Sequence, residues 1–342
     1  MSATTAAVRG AAKTAAKRAG AAPKRAAPAS AELVMPHLDG RSARVLAGKV
    51  FAHLLGAKGA RLTPLGGGLT NFVFGARKGR DEFVLRLSGN PAKLKEFLKE
   101  QWAMARAREA GIPVPEVLEV GVSPIPFPYM VARKVAGTEA THHPERFRVL
   151  RQMGRLARRL HEVKTSGFGH TFDWSENQLS RRESWAEYLA REFRGPERLA
   201  ILDRHGMLTK AALRNLRATF EEIARWDPQP VLNHGDLRLK NVVVDAEGEV
   251  AAVLDWEFCT SNAAPYWDLS LALHDLSVDA KEELLAGYGM TGREAMDAAP
   301  ALRVFNVLNY ARVVEGAAEE GDTAKLERLR ARLHGALDLY AF

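Results

Sequence analysis

The spacing of apolar residues changes twice along the chain. Between residues 41 and 55, Val45, Leu46, Val50, Phe51, Leu54 and Leu55 recur at three- to four-residue intervals. That period predicts an amphipathic helix, with Gly56 and Gly59 as its stop. The period then shortens. Residues 61–65, 72–74 and 83–87 are short apolar runs, separated by Gly66-Gly67-Gly68-Leu69-Thr70-Asn71 and Lys78-Gly79-Arg80-Asp81. Such runs between Gly-bearing turns read as strands joined by hairpins. A helix is expected over 91–110. Pro113 and Pro115 then force an extended connector. Strands over 117–122 and 129–135 flank a Pro-rich turn at Pro124, Pro126 and Pro128.

Helical spacing returns over 147–163, where Leu150, Met153, Leu156, Ala157 and Leu160 form one stripe. Arg151, Arg155, Arg158 and Arg159 fall mostly on the other side, a solvated face. His161, at the end of that helix, is expected to cap carbonyls or pack in the core. Residues 164–230 are the least regular portion. Their aromatic positions Trp185, Tyr188 and Phe193, with Leu189, read as a core stripe rather than a substrate wall. Two apolar strands follow at 242–244 and 251–254, joined by Asp245-Ala246-Glu247-Gly248-Glu249. Helices are expected over 269–276, 280–288, 300–315 and 324–339. Strands first and helices afterwards imply an α+β fold with a small antiparallel-sheet lobe, residues 32–135, ahead of a mainly helical lobe, residues 136–342.

Composition modifies this picture at one end. The chain of 342 residues carries a formal charge of +8, but residues 1–30 hold six basic residues and no acid. Subtracting them leaves +2 for the rest (8 − 6). Residues 1–31, rich in Ala and basic side chains and lacking an apolar face, read as a solvated tail. That reading is preferred to a transit peptide or an arm that touches nucleic acid. The single cysteine, Cys259, excludes an internal disulfide framework and suits a reducing, cytoplasmic location. No apolar run reaches the length of a membrane span.

Candidate chemistry concentrates in His234-Gly235-Asp236-Leu237-Arg238-Leu239-Lys240-Asn241. Taken singly, His, Asp and Asn near turns are most often caps and turn formers. Their joint spacing should arise by chance in on the order of one chain in several hundred. An Asp followed five residues later by an Asn, ahead of a strand, is how kinases set a base beside a metal ligand. The second strand ends in Leu254-Asp255-Trp256-Glu257, and the hairpin should bring Asn241 and Asp255 to one mouth. Two such oxygens with phosphate oxygens can hold Mg²⁺. Upstream, Gly66, Gly67, Gly68, Thr70 and Asn71 form a turn whose N–H groups can close over phosphates. Arg86 is the only basic residue of its strand and is the expected phosphate-holding cation. Its partner should be a Glu on the next helix, which offers Glu96 and Glu100.

On these motifs and on Trp267-Asp268-Leu269-Ser270, the chain resembles the aminoglycoside phosphotransferase and choline kinase-like family of small-molecule kinases. The resemblance spans about residues 60–275. It implies a two-lobed protein-kinase-like fold and transfer of the γ-phosphoryl of ATP, or secondarily GTP, to a hydroxyl with Mg²⁺. Asp236 would be the catalytic base, and Glu100 rather than Glu96 the partner of Arg86. Asn241 and Asp255 would hold metal, and Glu257 would assist the metal or a substrate amine. Asp268 would anchor the catalytic loop, and backbone from Ala132 to Lys134 would line the base. The short segment from Asp255 to Ala264-Pro265-Tyr266 leaves no platform for a protein substrate. From Asp268 to Asp322 acids outnumber bases eleven to four. That excess suggests a cationic acceptor such as an amino sugar, an aminoglycoside-like compound or a choline-like alcohol. The rival reading is a non-catalytic nucleotide-binding module tethered by its basic tail.

Overall fold

The computed structural model describes residues 38–56, 61–66, 71–173, 177–179, 182–274 and 276–339. The basic tail and Glu32 lie outside them. Asp39 caps the first helix, α1 (Gly40–Leu55), by accepting the Ser42 N–H at 2.7 Å, and Gly56 ends it in the left-handed conformation. Five strands follow: β1 (Thr63–Pro64), β2 (Phe72–Lys78), β3 (Asp81–Leu87), β4 (Val117–Gly121) and β5 (Tyr129–Arg133). They form one antiparallel sheet in the order β1-β2-β3-β5-β4. Alternation along β3 buries Phe83, Leu85 and Leu87 on one face. The helix α2 (Lys93–Glu109), between β3 and β4, buries Phe97, Ala103, Met104 and Ala107.

Beyond the sheet the fold is mainly helical, as the order of elements implied. β6 (Thr138–Glu139) leads into α3 (Arg146–Leu160), and a short hairpin of β7 (Phe172–Asp173) and β8 (Gln178–Leu179) precedes α4 (Trp185–Tyr188). A π-helical turn over Leu189–Phe193 separates α4 from α5 (Gly195–Arg204). Gly195 lies so close to Phe220 that a Cβ would meet its ring at 2.5 Å. α6 (Lys210–Ile223) leads to four strands: β9 (Pro230–Asn233), β10 (Val242–Val244), β11 (Val250–Val253) and β12 (Thr260–Ala263). The chain closes with α7 (Tyr266–Ala272), α8 (Val278–Tyr288), α9 (Gly292–Glu319) and α10 (Thr323–Leu339).

The aromatic stripe is buried in the core, although Tyr188 and Phe193 also line a cavity. Trp185, Tyr188, Leu189 and Phe193 are buried with Phe168 and with Phe305 of α9. One helix begins earlier than its sequence suggests. Pro300 reads as a first-turn residue, yet α9 starts eight residues before it, because Thr291 and Glu294 form a capping box. The Pro therefore sits inside a 28-residue helix. α3 and α8 cross backbone to backbone. A Cβ on Gly154 would lie 2.1 Å from Leu284 O, and one on Gly287 would lie 2.0 Å from Arg151 O.

Candidate active site

Two antiparallel pairs build the site. β9 pairs with β12, setting Asn233 opposite Thr260, and β10 pairs with β11, setting Val242 opposite Val253. The loop from β9 to β10, residues 234–241, must therefore lie beside the loop from β11 to β12, residues 254–259. The Leu254 N–H donates to Asn241 O at 2.7 Å and ties the two together.

Asp268, at the start of α7, clamps the first loop. Its carboxylate accepts the backbone N–H of His234 at 2.8 Å and of Gly235 at 2.7 Å, and faces His161 Nε2 at 3.1 Å. Burial opposes its charge, but the hydrogen bond and field of His161, the field of His234 and the Gly235 N–H hold its carboxyl below the ordinary range. His161 thus packs in the core, with Tyr288 Oη 2.9 Å from its Nδ1.

The His234 ring is buried, and burial lowers its pKa. Its Nε2 donates to Leu254 O at 2.9 Å, while Nδ1 accepts the Asp236 N–H at 3.2 Å. That pattern requires the neutral Nε2–H tautomer. Gly235 has a φ of 81°. A Cβ there would meet Phe258 O at 2.0 Å, so only glycine fits between the loops.

Asp236 is 5% exposed. Its Oδ1 accepts from Arg238 Nε at 2.5 Å, and its Oδ2 lies 2.9 Å from both Lys240 Nζ and Asn241 Nδ2. Asn241 Nδ2 also donates to Asp236 O at 2.8 Å. Its Oδ1 accepts no hydrogen bond from a described residue.

Asp255 sits in the left-handed conformation, with φ 62° and ψ 63°. Burial first and then Glu257 push its carboxyl above the ordinary value; Arg86 and His234 offset only part of this, and Asp236 adds to the rise. No group of three His, Cys, Asp or Glu side chains among the described residues is arranged to hold a metal. The donor set is instead an unpartnered amide oxygen and a carboxylate whose ionisation neighbouring acids oppose. Those features fit a hard divalent cation that completes its shell with phosphate oxygens.

Arg86 on β3 meets Glu100 on α2 at 2.6 Å, and Glu96 instead pairs with Lys93. Burial works against the Arg86 charge, yet Glu100, Asp255 and Glu257 together raise its pKa. Glu100 is buried and its pKa is raised by that burial; its Oε1 has no partner. The Glu257 carboxylate faces cations, with Lys93 Nζ at 3.3 Å and Arg86 Nη2 at 3.8 Å. Gly67, Gly68 and Thr70 lie outside the described residues. Gly66 and Asn71 flank them, and Asn71 Oδ1 is buried without a partner. Ala132 lies within β5, between β3 and β4. The N–H groups of Arg133 and Lys134 are used within the fold, on Glu116 O and Glu82 O, and Lys134 Nζ pairs with Glu82 at 2.7 Å.

Four basic residues escaped the sequence reading. Arg238 and Lys240 flank Asp236 in its own loop, and cations two and four residues after the base were the available signal. Lys93 and Lys99 gave none, since lysines on a helix usually face solvent. Lys99 is buried, and its ammonium donates to Glu257 O at 2.6 Å and Cys259 O at 3.4 Å.

Beside Gly235, Glu257 and Phe258 opens a cavity of about 780 Å³. None of the described acids between residues 268 and 322 lines it. Glu283 instead pairs with Arg151 on the outer surface, Glu294 caps α9 and Glu320 pairs with Lys325. The acidic wall that their number suggested is therefore not part of this cleft.

A five-stranded antiparallel sheet ahead of a helical region, with this loop pair between them, defines a kinase-like fold. The chain belongs to the phosphotransferase enzyme family, whose model matches residues 61–302. Solved structures agree with the fold. A thermostable mutant of aminoglycoside phosphotransferase APH(4)-Ia, in ternary complex with ADP and hygromycin B, is 17% identical with a TM-score of 0.62, covering 85% of this chain and 98% of that one. The GDP and kanamycin complex of APH(2")-IIia is 14% identical with a TM-score of 0.56, covering 85% and 98%. The macrolide 2'-phosphotransferase MphH from Brachybacterium faecium is 22% identical with a TM-score of 0.54, covering 84% and 97%. No curated protein matches the chain. No helix among the described residues is long and apolar enough to cross a membrane.

Proposed function

We propose that this phosphotransferase moves the γ-phosphoryl group of ATP, or secondarily GTP, to a hydroxyl of a small molecule. The observation that carries the reading is the single cluster of Asp236, Asn241 and Asp255 beside an open cavity. Residues 32–135 would hold the nucleotide and residues 136–342 the acceptor. Asp236 orients the acceptor hydroxyl and takes its proton. Arg238, against Asp236, faces the charge that develops on the transferred group. Arg86, braced by Glu100, holds nucleotide phosphate. The turn from Gly66 to Asn71, whose centre lies outside the described residues, would close over it, and backbone from Ala132 through Lys134 would border the adenine. Asn241 and Asp255 would hold Mg²⁺, which when bound neutralises phosphate charge and fixes its orientation. Glu257 supports that group from outside, through Arg86 and Lys93.

Transfer of labelled γ-phosphate from Mg-ATP to a panel of small alcohols, with Asp236→Asn as control, tests this. Label on a small molecule, reduced at least about a thousandfold in the variant, is expected. Nucleotide binding with no transfer to any acceptor would favour the non-catalytic module and overturn the proposal.

A further inference from the structure

The charges lining the cavity point away from a cationic acceptor. Each acid in its wall already has a cation. Glu96 pairs with Lys93, Glu257 with Lys93 and Arg86, and Glu192 with Arg191 and, at 3.7 Å, with His170. On the far wall the surplus is positive. Arg198 of α5 donates to Glu192 O at 2.8 Å and Leu308 O at 3.4 Å, and no carboxylate among the described residues forms an ion pair with it. Arg312 of α9 makes no hydrogen bond or ion pair with any described residue. Burial first, and then the charge of Arg312, lower the Arg198 pKa. One helical turn before Arg312, Asn309 also lines the cavity, and its Nδ2 is a buried donor with no acceptor. Asn309 Nδ2 is thus buried without an acceptor, half-buried Arg198 meets only two backbone carbonyls, and Arg312 is exposed with no partner among the described residues. The buried Asn309 donor costs free energy unless a ligand supplies an oxygen, and two guanidinium groups without a carboxylate partner among the described residues supply positive charge for that ligand.

We propose that the acceptor hydroxyl belongs to an anion, a hydroxy acid or a sugar phosphate, whose carboxylate or phosphate is bound by Arg198, Arg312 and Asn309. The inference rests on the phosphotransfer reading for its chemistry but not for its binding site. Guanidinium forks match the oxygens of either group. The same cavity runs from these donors to Gly235, next to Asp236, so one small molecule can touch both ends.

The test combines binding and transfer. Thermal stabilisation of the full chain and of its Arg312→Met, Arg198→Met and Asp236→Asn variants is measured with 10 mM-scale (about) glycerate, glycerol 3-phosphate, glycerol, choline and kanamycin. Label transfer from Mg-ATP is followed with the same panel. Stabilisation by the anions alone is expected in the wild type and in Asp236→Asn, falling about tenfold or more in apparent affinity in both Arg variants. The stronger of glycerate and glycerol 3-phosphate identifies the anionic group. Anions that fail to stabilise the protein, or that stabilise the Arg variants equally, overturn the proposal. So does Asp236-dependent transfer confined to choline, kanamycin or glycerol, an outcome that leaves the kinase reading standing. Arg312-dependent anion binding with no transfer at all would sink the kinase reading and keep the anion site.

Discussion

Replacing Asp268 by Asn asks how much one buried carboxylate contributes to the catalytic loop. Asp268 accepts two backbone N–H groups and faces His161, and it is fully buried. In the variant, one amide end must meet one of those donors with a donor of its own. Loss of a charge-assisted bond costs about 1.5–3 kcal/mol. A buried donor left facing a donor adds about 1–3 kcal/mol. A total near ~4 kcal/mol is within what breaking a buried charged network costs. For a folded unit of about 300 residues, at about 2.1 cal/mol/K per residue, the unfolding entropy is about 0.6 kcal/mol/K. The midpoint should therefore fall by about 6–7 °C, which leaves a folded protein to assay. Misplacement of Asp236 by about 1 Å should lower kcat about a hundredfold, while KM for nucleotide stays within about threefold. Because the folded-state pKa of Asp268 is depressed, its stabilisation is fully present above the unfolded value. The stability gap between wild type and variant should then be constant above about pH 5 and close as pH falls through the depressed pKa. Calorimetry from pH 3 to 8, with steady-state kinetics at pH 7.5, measures all three quantities. A variant that loses the stability but keeps wild-type kcat would falsify the role given to this clamp.

Other expectations are more compact. Gly235→Ala should abolish transfer, because its Cβ collides with Phe258 O; a soluble, fully active variant would contradict the loop packing. Gly154→Ala should destabilise the fold by at least about 1–3 kcal/mol in denaturant unfolding, since the neighbour it meets is backbone. Arg86→Met should raise KM for ATP by about ten- to a hundredfold, and also leave Glu100 buried without its cation, lowering the midpoint of unfolding. Cys259, the single thiol, is buried and its pKa is pushed up to about 11, so a thiol reagent at pH 8 should modify none of the native protein and one group per chain in guanidinium.

Much of this site is legible in the sequence because its chemistry is local. The spacing from Asp236 to Asn241 and the hairpin that returns Asp255 to Asn241 follow from short-range patterns, whereas the choice of Glu100 over Glu96 for Arg86 rested on the family resemblance. What depends on facing could not be read. An excess of acid between residues 268 and 322 says nothing about direction, and the described members point elsewhere: Asp268 inward to the loop, Glu283 and Glu320 outward to their own cations. Lys99 and Glu100 are adjacent in sequence and both buried, which helical periodicity does not anticipate for charged residues. Pro300 misled for a similar reason. Its missing N–H suits a helix start, but the caps at Thr291 and Glu294 decide where α9 begins.

Lys99 also changes which parts of the molecule can move together. By chain order α2 belongs with the sheet, yet its buried ammonium holds the carbonyls of Glu257 and Cys259, and Lys93 grips the Glu257 side chain. Mechanically α2 is thus a fixture of the helical region, like a bracket left on the door frame. Arg86 of β3 meets Glu100 on the same helix, so swinging the sheet outward would either pull the ammonium from its carbonyls or strand a buried carboxylate, and both breaks are costly. α2 is thereby a strut held from both sides, one that lets the sheet and the loop at Glu257 move only as a unit.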